Sequence, residues 1–451
     1  MSLPQPHGST LRLLVLFLVL PSTATTAVEH LNWPSSDSLP GPTSPIGSMN
    51  IGLDTRPKPE PIKALENKET TPKWHWHMMH DQDRNDKYEA GLVSAIRTLK
   101  KIKSDVNVVD IGAGAGLLSL LAARAGASSV AAIEFSPERA EIARTVVDDN
   151  RYAQIINVIE MDALDIPQND GSSVVDIIVH ELFSNTLLCE RPHNIIPVVR
   201  ERLKASIVVP SAARSFAVLV DSKWISSLRR NVNVDVNNIH VDVEYYSGPD
   251  SSHISGFDFT NVKEQLSGSH QESGDVNSLI GSMALPLNDL IALSNPIALH
   301  GVDFMRGAAD AVDIFQRQNA SFDVVRTGTA RAVLIYFEAQ MAPGVVLSTS
   351  PFSNQGVTRS RILNWPHNMK SILHSRPPLN EKGEWSGKVH PGDDVGFMWG
   401  PSGTTDACGM EVQLMAHNGK GVSQTNRHAT VSYSYKIQIQ ENADMLEFKF
   451  D

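Results

Sequence analysis

The sequence predicts an α/β domain built on an open parallel sheet, followed by a second domain of antiparallel β structure. Between residues 86 and 181, apolar strand-like segments alternate with helical ones, which is typical of a parallel sheet covered by helices on both faces. Beyond Pro210 this alternation gives way to short stretches of period two separated by turn residues. Those stretches predict an antiparallel sheet, sandwich or barrel.

The first domain opens with an amphipathic helix over 86–102, because Leu92, Ile96 and Leu99 recur at helical spacing. The strand "VNVVDIG" follows and ends in a cluster of glycines. The next segment, "LLSLLAARAG", is apolar and rich in good helix formers, and Gly126 is placed to end it.

The alternation then continues through a second strand, "SVAAIE", and a helix that runs to about Asn150. Ser136 is the expected N-cap of that helix and Pro137 lies in its first turn. Two further strands, "INVIEM" and "VVDIIVHE", complete the sheet. The sequence therefore predicts a doubly wound α/β architecture for this half of the chain.

The second domain is predicted from seven alternating segments: "RSFAVLVD", "NIHVDVEYY", "RAVLIYFEAQM", "DDVGFMW", "MEVQLMA", "TVSYSYKIQI" and "MLEFKF". A polar stretch rich in Ser and Gly, at about 257–290, interrupts this rhythm.

The chain of 451 residues is long enough for two domains and flanking segments, which we expect at 74–210 and 211–451. Residues 1–28 contain an apolar run followed by small residues, as a secretory signal or targeting segment does. The run is too short to span a bilayer, so no stable membrane span is expected. Residues 29–73 are rich in Pro, Ser and Gly and are expected to be a disordered linker.

The composition of the chain excludes several classes of partner and of metal site. The formal net charge of −11 disfavours direct binding of nucleic acid through a basic surface and favours a basic partner. The two cysteines, Cys189 and Cys408, exclude a disulfide framework and a cysteine-rich zinc site. No His or Cys cluster has metal-ligand spacing, so His75 and His77 are expected to pack over a cofactor site and no metal is predicted.

The glycine-rich turn "DIGAGAGLL" indicates a nucleotide cofactor. Asp110 ends a strand, and Gly112, Gly114 and Gly116 let the backbone approach a ligand closely. A dinucleotide fingerprint would need glycine where this chain has Leu117. The spacing instead favours S-adenosyl-L-methionine, which has no pyrophosphate to bind.

Glu134 supports that interpretation. It ends the next strand, where a carboxylate can accept hydrogen bonds from both ribose hydroxyls.

Two glutamates predict the methyl acceptor. Glu181 follows the fourth strand, at the edge where open α/β sheets bind ligands, and a short loop separates it from Glu190. Two carboxylates that face one pocket favour a cation, and a planar guanidinium donates bidentate hydrogen bonds to carboxylates. The alternative is that both are ordinary loop acids.

The folded part, about 74–451, resembles the protein arginine N-methyltransferases. The motifs that carry the resemblance are "MMHDQDRN", "VDIGAGAGLLS", Glu134, "EMDALDIP", "HELFSNTLLCE", "IVVPSAARSFA", "ISGFDFTNVKE" and "NWPHNMKS". The resemblance implies a Rossmann-like class I methyltransferase domain and an antiparallel β-barrel domain. It also implies that the stretch at about 257–290 is an arm that reaches a second subunit of a homodimer.

The resemblance also assigns site residues. It implies that Arg84 pairs with the cofactor carboxylate, that Asp110 and the three glycines contact the methionine end, and that Asp162 binds the adenine amine. Glu134 would hold the ribose. Glu181 and Glu190 would be the catalytic pair that clamps the substrate guanidinium.

The chain departs from the family's pattern in the loop that closes the site. Members often carry Thr-His-Trp where this chain has Leu363, Asn364 and Trp365. The usual histidine pairs with an acid that corresponds to Asp81, and Asn364 could bond that acid only as a neutral partner. A proton relay at this position is therefore not expected.

The pocket residues indicate the product. Phe183 and Pro192 stand where members that form asymmetric dimethylarginine usually have methionine. A bulkier pocket would resist a second methylation of the same nitrogen, and "WHWHMMHDQDRND" is similar to the branch that forms monomethyl or symmetric dimethyl products. Monomethylation is favoured, and symmetric dimethylation is the alternative. The expected substrate-pocket residues are Met78, Phe183, Asn364 and Trp365.

Two other functions stay open at this point. A small-molecule methyltransferase would need the same glycine loop but not both glutamates, and a non-catalytic scaffold could keep the fold. The expected partners are arginine-containing proteins, Arg/Gly-rich ones among them, and a second copy of the chain. The N-terminal segment predicts the secretory pathway or an organelle, whereas the family resemblance implies cytoplasm or nucleus.

Overall fold

The computed structural model describes the chain from Lys73 onwards with gaps. The described residues are 73–169, 174–183, 187–188, 190–222, 251–267, 290–307, 312–313, 318–330, 332–350, 352, 368–371, 388–392, 394–401, 410–416, 435–436, 438–442 and 445–449. No helix among them is long and apolar enough to cross a membrane.

The first domain is built on a parallel sheet of five strands in the order β3-β2-β1-β4-β5. The strands are β1 Asn107–Ile111, β2 Ser129–Glu134, β3 Ile156–Glu160, β4 Ile177–His180 and β5 Ile207–Val209. The predicted parallel α/β sheet is confirmed, and β5 is an addition to it. Strands β1, β2 and β4 are buried almost throughout, as expected for a sheet covered on both faces.

Five helices accompany this sheet: α1 Lys73–Met79, α2 Gln82–Leu99, α3 Leu117–Arg124, α4 Pro137–Asp149 and α5 Pro192–Leu203. The predicted helix over 86–102 was wrong at both ends. It begins earlier because Asp81 is an N-cap whose Oδ1 accepts the backbone N–H of Arg84 at 3.1 Å. It ends at Leu99 because Lys100 is the C-cap, and its N–H is bonded to the carbonyls of the last turn.

The ends of α3 and α4 agree with the sequence. Gly126 follows α3 with φ of +102°, a backbone conformation that favours glycine. Ser136 caps α4 by accepting the N–H of Arg139 at 3.4 Å, and Pro137 is the first helical residue. Helices α1 and α5 were not predicted, and α5 carries Pro197 in its interior, which weakens the helical signal of its sequence.

The second domain is antiparallel, as predicted. Its described strands are β6 Ala212–Ser222, β7 His253–Ile254, β8 Phe257–Asp258, β9 Leu290–Ala292, β10 Ile297–Asp303, β11 Val312–Asp313, β12 Gln318–Asp323, β13 Gly328–Thr329, β14 Ala332–Ala342, β15 Val345–Ser348, β16 Asn368–Ser371, β17 Lys388–Val389, β18 Asp394–Pro401, β19 Met410–Ala416, β20 Tyr435–Lys436, β21 Gln438–Asn442 and β22 Met445–Lys449. The predicted segment "NIHVDVEYY" lies outside the described residues.

The largest antiparallel sheet has seven strands, with β11-β10-β6-β14-β15 in order, β16 paired to β14 and β9 paired to β6. A second sheet has the order β12-β18-β19-β20. Residues of both domains form one hydrophobic core, to which β14 contributes Phe337 and Met341.

Helix α2 joins the two domains. Its residues Tyr88 and Leu92 are fully buried in the shared core. A Cβ on Gly91 would lie 2.9 Å from Cβ of Met341 and 3.0 Å from Cγ1 of Val209. Only glycine allows α2 to approach β14 and β5 this closely.

Residues 251–267, which we call the strap, pack back onto the first domain of the same chain. The strap contains β7, β8, a 3₁₀ turn at Thr260–Val262 and the short helix α6 Lys263–Leu266. Phe257, Phe259 and Leu266 are buried in the shared core. The predicted dimer arm begins within the strap, and its continuation at 268–289 lies outside the described residues.

Candidate active site

The predicted site residues come from the carboxyl ends of three neighbouring strands. Ile111 of β1 is in register with Ile133 of β2 and with His180 of β4. The next residues along each strand therefore meet at one edge of the sheet, where open α/β folds bind their ligands. This edge brings together the glycine loop, Glu134 and Glu181.

The glycine loop has the backbone that its sequence predicts. Gly112, Gly114 and Gly116 have φ of +71°, +55° and +84°. A Cβ on Gly112 would lie 2.7 Å from Cδ2 of Leu182, the residue after Glu181. The loop therefore lies directly against the segment that carries the first predicted catalytic carboxylate.

Asp110 is fully buried beneath the loop. Its Oδ2 accepts the hydroxyl of Ser119 at 2.7 Å, and no described residue donates a hydrogen bond to its Oδ1. Burial raises the pKa of Asp110 to about 7, against the opposing hydrogen bond from Ser119, and the negative charge of Glu134 adds to the rise. A buried carboxylate oxygen without a donor can bind a cationic or hydrogen-bonding ligand group.

Glu134 connects three elements at the end of β2. Its Oε2 accepts the N–H of Gly114 at 2.9 Å, and its Oε1 accepts the N–H of Ser136 at 2.8 Å. Nε of Arg139, on the first turn of α4, donates to the same Oε1 at 3.1 Å. An ionised carboxylate has about four acceptor positions, so these bonds leave capacity for a ribose hydroxyl.

Glu181 forms a buried ion pair with Arg84. Nη2 of Arg84 donates to Oε2 of Glu181 at 3.0 Å, and the two side chains are only 4% and 8% exposed. Burial raises the pKa of Glu181, and the charge and hydrogen bond of Arg84 oppose that rise. The sequence predicts a cofactor carboxylate as the partner of Arg84. The structure shows that Arg84 also has a protein partner, Glu181, at the same edge of the sheet.

The loop after Glu181 returns to α5. Glu190, the second predicted catalytic carboxylate, is exposed and lies just before α5. Arg191 has φ of +59°, and Pro192 starts the helix. The structure therefore places a buried carboxylate at one end of the loop and a solvent-accessible one at the other.

Phe183 packs within a cluster of rings between the two domains. It is 3% exposed, and its ring centroid lies 5.3 Å from those of His180 and Phe337 and 6.1 Å from that of Phe304. Burial lowers the pKa of His180 to about 3, so this imidazole is neutral. Phe183 is therefore held rigidly beside Glu181.

Helix α1 lies over the glycine loop. A Cβ on Gly114 would be 3.4 Å from Cε1 of His75. Desolvation lowers the pKa of His75 to about 4, and the positive charges of Arg139 and Arg84 lower it further. Met78, a predicted pocket residue, is buried on the same helix. No group of His, Cys, Asp or Glu side chains among the described residues could hold a metal ion.

The remaining predicted site residues are Asp162, Asn364 and Trp365. Asp162 follows β3 at the same edge, is exposed, and caps a 3₁₀ turn by accepting the N–H of Leu164 at 2.8 Å. Asn364 and Trp365 lie outside the described residues.

Sequence reasoning missed two side chains that hold the site. Arg139 turns back from the first turn of α4 onto Glu134, a direction that helical side chains favour and that the Ser136 cap could have indicated. Asn85 accepts from Nη1 of Arg84 at 2.9 Å, and nothing in the spacing of the sequence distinguishes it from a surface helix residue.

Comparisons with known proteins agree with this geometry. Residues 108–205 match the family model of a methyltransferase domain. The chain is 30% identical over 277 residues to protein arginine N-methyltransferase 7 of Gallus gallus, which covers 59% of this chain and 36% of the relative. It is 37% identical over 166 residues to arginine N(omega)-methyltransferase of Streptomyces achromogenes subsp. streptozoticus, which covers 35% of this chain and 43% of the relative. The chain thus spans less than half the length of these curated relatives.

Solved structures show the same fold. The Trypanosoma brucei PRMT1 enzyme–prozyme heterotetrameric complex with AdoHcy has a chain that matches with a TM-score of 0.53 and 19% identity, over 81% of this chain and 98% of that one. Protein arginine methyltransferase 10 of Arabidopsis thaliana matches with a TM-score of 0.53 and 21% identity, over 80% and 97%. The resemblance inferred from the sequence is therefore confirmed: the chain contains a methyltransferase domain and is similar to protein arginine N-methyltransferases over more than half of its length.

Proposed function

We propose that this chain is an S-adenosyl-L-methionine-dependent protein arginine N-methyltransferase. The observation that carries the proposal is the position of Glu181. This carboxylate is buried and paired with Arg84 at 3.0 Å, and the residue after it lies against Gly112 of the glycine loop. A group that can orient a cationic acceptor thus stands beside the loop that would hold the methyl donor.

The residues of the sheet edge fit the cofactor. The buried Oδ1 of Asp110 suits a ligand ammonium or hydroxyl, because no described residue donates to it. Glu134 has acceptor capacity for the ribose, and the positive-φ glycines keep the backbone clear of side chains. Arg84 has a buried Nε without a partner among the described residues, which leaves a donor for a ligand carboxylate. Asp162 is the proposed contact of the adenine amine.

The mechanism rests on orientation and charge. The cofactor, when bound, supplies an electrophilic methyl group on a sulfonium. Glu181 would accept hydrogen bonds from the substrate guanidinium and direct one nitrogen toward that methyl group. Glu190, at the exposed end of the loop, would bind the same guanidinium from the solvent side. The two negative charges would stabilise the additional positive charge that the guanidinium gains with the methyl group, until one N–H proton leaves to water and the product remains a singly charged methylguanidinium.

The favoured product is monomethylarginine, and the alternative is symmetric dimethylarginine. Phe183 supports this choice because three aromatic neighbours fix it beside Glu181, so it cannot move aside to admit a larger group. Basic, arginine-containing proteins are the proposed substrates, and the net charge of −11 favours such partners.

Mass spectrometry of an Arg/Gly-rich peptide after reaction with isotopically labelled cofactor tests the proposal. We expect one methyl group per modified arginine, and loss of transfer in Glu181→Gln and Glu190→Gln with cofactor binding retained. Transfer to a small-molecule acceptor that survives in Glu190→Gln, with no transfer to the peptide, would instead favour a small-molecule methyltransferase. Cofactor binding by calorimetry without any methyl transfer would favour a non-catalytic scaffold.

We further propose a homodimer assembled through the arm at about 257–290, and targeting by residues 1–28 to the secretory pathway or an organelle. The first proposal is supported by the overlap of the arm with the strap, since residues 257–267 pack onto the first domain of the same chain and fix where the rest of the arm begins. Sedimentation velocity would report the dimer. Imaging of a full-length copy tagged at its C-terminus would report the location, with cytoplasm or nucleus as the contrary result.

A further inference from the structure

A continuous series of hydrogen bonds connects the strap to Glu181. The hydroxyl of Ser255 accepts Nδ2 of Asn85 at 3.0 Å, and Oδ1 of Asn85 accepts Nη1 of Arg84 at 2.9 Å. Arg84 in turn donates Nη2 to Glu181 at 3.0 Å. We propose that Asn85 is a positioning residue, which aligns Arg84 on Glu181 and makes that alignment depend on the strap.

The amide of Asn85 has little freedom to turn. It is 1% exposed, and Nδ2 also donates to the carbonyl of Met79 at 2.7 Å. With Nδ2 held by two acceptors, Oδ1 is the only atom of the amide that can face Arg84. Asn85 therefore fixes one side of the guanidinium, and the planar geometry of that group fixes the direction of the nitrogen that meets Glu181.

Ser255 ties this arrangement to the strap. Ser255 has φ of +52°, an unusual conformation for a residue with a side chain, and its carbonyl accepts Nη1 of Arg124 at 2.5 Å. The guanidinium of Arg124 also lies 4.4 Å from the ring centroid of Phe257 and pairs with Glu89. These contacts hold the Ser255 hydroxyl over α2.

The strap is attached to α4 independently. Nδ2 of Asn150 donates to the carbonyl of Asp258 at 2.8 Å, and the N–H of Asp258 donates to Oδ1 of Asn150 at 2.8 Å. Asn150 thus holds the strap as Asn85 does, but its hydrogen bonds go to Val146 and Asp258 and not to Arg84 or Glu181. This provides a matched control that separates loss of the strap from loss of the alignment.

The ionisation of Glu181 reports the alignment directly. The charged and titratable groups around the Arg84–Glu181 pair are Tyr88 on the same helix, Asp110 at the end of β1 and His75 on α1. Arg84, through its charge and its hydrogen bond, is the main group that lowers the pKa of Glu181 against its burial, and the backbone N–H of Phe183 lowers it further. When Arg84 loses its alignment, the carboxylate loses its cation and its pKa must rise.

The test is a carboxyl ¹³C NMR titration of Glu181 in the full chain labelled at glutamate, with the signal assigned by its loss in Glu181→Gln. We expect Asn85→Leu to raise the pKa of Glu181 by about one unit, and Asn150→Leu to leave it unchanged. Ser255→Ala should raise it by a few tenths of a unit, because Met79 still holds Asn85. This variant removes only a half-buried hydroxyl and supplies the result if Asn85→Leu does not fold.

The proposal is overturned if Asn85→Leu and Asn150→Leu shift the pKa equally, since Asn85 would then act only through the strap's attachment. It is also overturned if neither Asn85→Leu nor Ser255→Ala moves it. The inference rests on the proposed function for its catalytic meaning, and the two can fail separately. Absence of methyl transfer by the wild-type chain would refute the function, whereas the titration requires no turnover. In an active enzyme the acid limb of the pH–rate profile should move with the pKa of Glu181.

Discussion

Replacing Arg84 with methionine should destabilise the protein strongly, and increasingly as the pH rises. Arg84 and Glu181 are 3.0 Å apart and almost inaccessible to water. Two unit charges at 3.0 Å attract by about 5 kcal/mol at an effective dielectric constant of about 20. Loss of one partner from a buried pair costs about 3–5 kcal/mol because the other charge is left without compensation. We expect a loss in this range at about pH 8.

The direction of the pH dependence follows from Glu181. Burial already raises the folded-state pKa of this carboxyl above its unfolded value, so the folded state binds its proton more tightly and loses stability as the pH rises through the window between the two values. Without Arg84 the folded pKa rises further, and that window extends to higher pH. The cost of Arg84→Met should therefore be small at low pH, where the carboxyl is protonated, and should grow as the pH rises toward about pH 8.

Urea denaturation followed by tryptophan fluorescence at low and at high pH measures this cost. The double variant Arg84→Met/Glu181→Gln should recover most of the lost stability at high pH, because no charge is then left in the interior. Equal costs for Arg84→Met at both pH values would refute the reasoning. So would an equal cost in the Glu181→Gln background, since the pair would then show no energetic coupling.

Three further predictions concern the cofactor side of the site. Asp110 has a folded-state pKa of about 7, which lies above its unfolded value, so the wild-type protein should lose up to about 4 kcal/mol of stability between pH 4 and pH 7. Asp110→Asn should abolish this loss, and urea denaturation at a series of pH values measures the difference. Gly114→Ala should cost about 1 kcal/mol or more in thermal unfolding and weaken cofactor binding, since alanine is strained at φ of +55°; normal binding would contradict the assigned role of the loop. Arg139→Met should raise the calorimetric Kd for S-adenosylhomocysteine roughly tenfold by releasing Glu134, whereas Arg144→Met, which alters a surface pair on the same helix, should not.

The parts of the fold that could be predicted from the sequence are those in which local chemistry and burial agree. Gly126 marks the end of α3 and Ser136 marks the start of α4, because a residue with positive φ and a capping hydroxyl each act within one helical turn. Helix α5 was not predicted because Pro192 and Pro197 obscure its pattern, and its stability comes instead from Ile196 and Val199, which are buried in the hydrophobic core.

Some residues of the candidate site could likewise be predicted from local sequence, and others could not. Asp110, Glu134 and Glu181 could be predicted because each lies at or just after the carboxyl end of a strand, and the ends of neighbouring parallel strands meet at one edge. The partners of these residues could not be predicted. Arg84 reaches Glu181 from far along the chain, and the contact between Asn85 and Ser255 depends on how the strap folds back over α2. Pairings of this kind are set by tertiary packing, which a sequence pattern of period two or 3.6 does not encode.

The close approach of α2 to β14 has a consequence for how this protein can be divided or recombined. A fragment that stopped at residue 210 would retain α2 but lose β14, whose Met341 lies against Gly91 and which shares one hydrophobic core with Tyr88 and Leu92, so apolar surface of α2 would be exposed. Such a piece should aggregate and require detergent or a co-expressed complementing half to remain in solution. We therefore expect the two domains to be inherited, lost or recombined together and not separately.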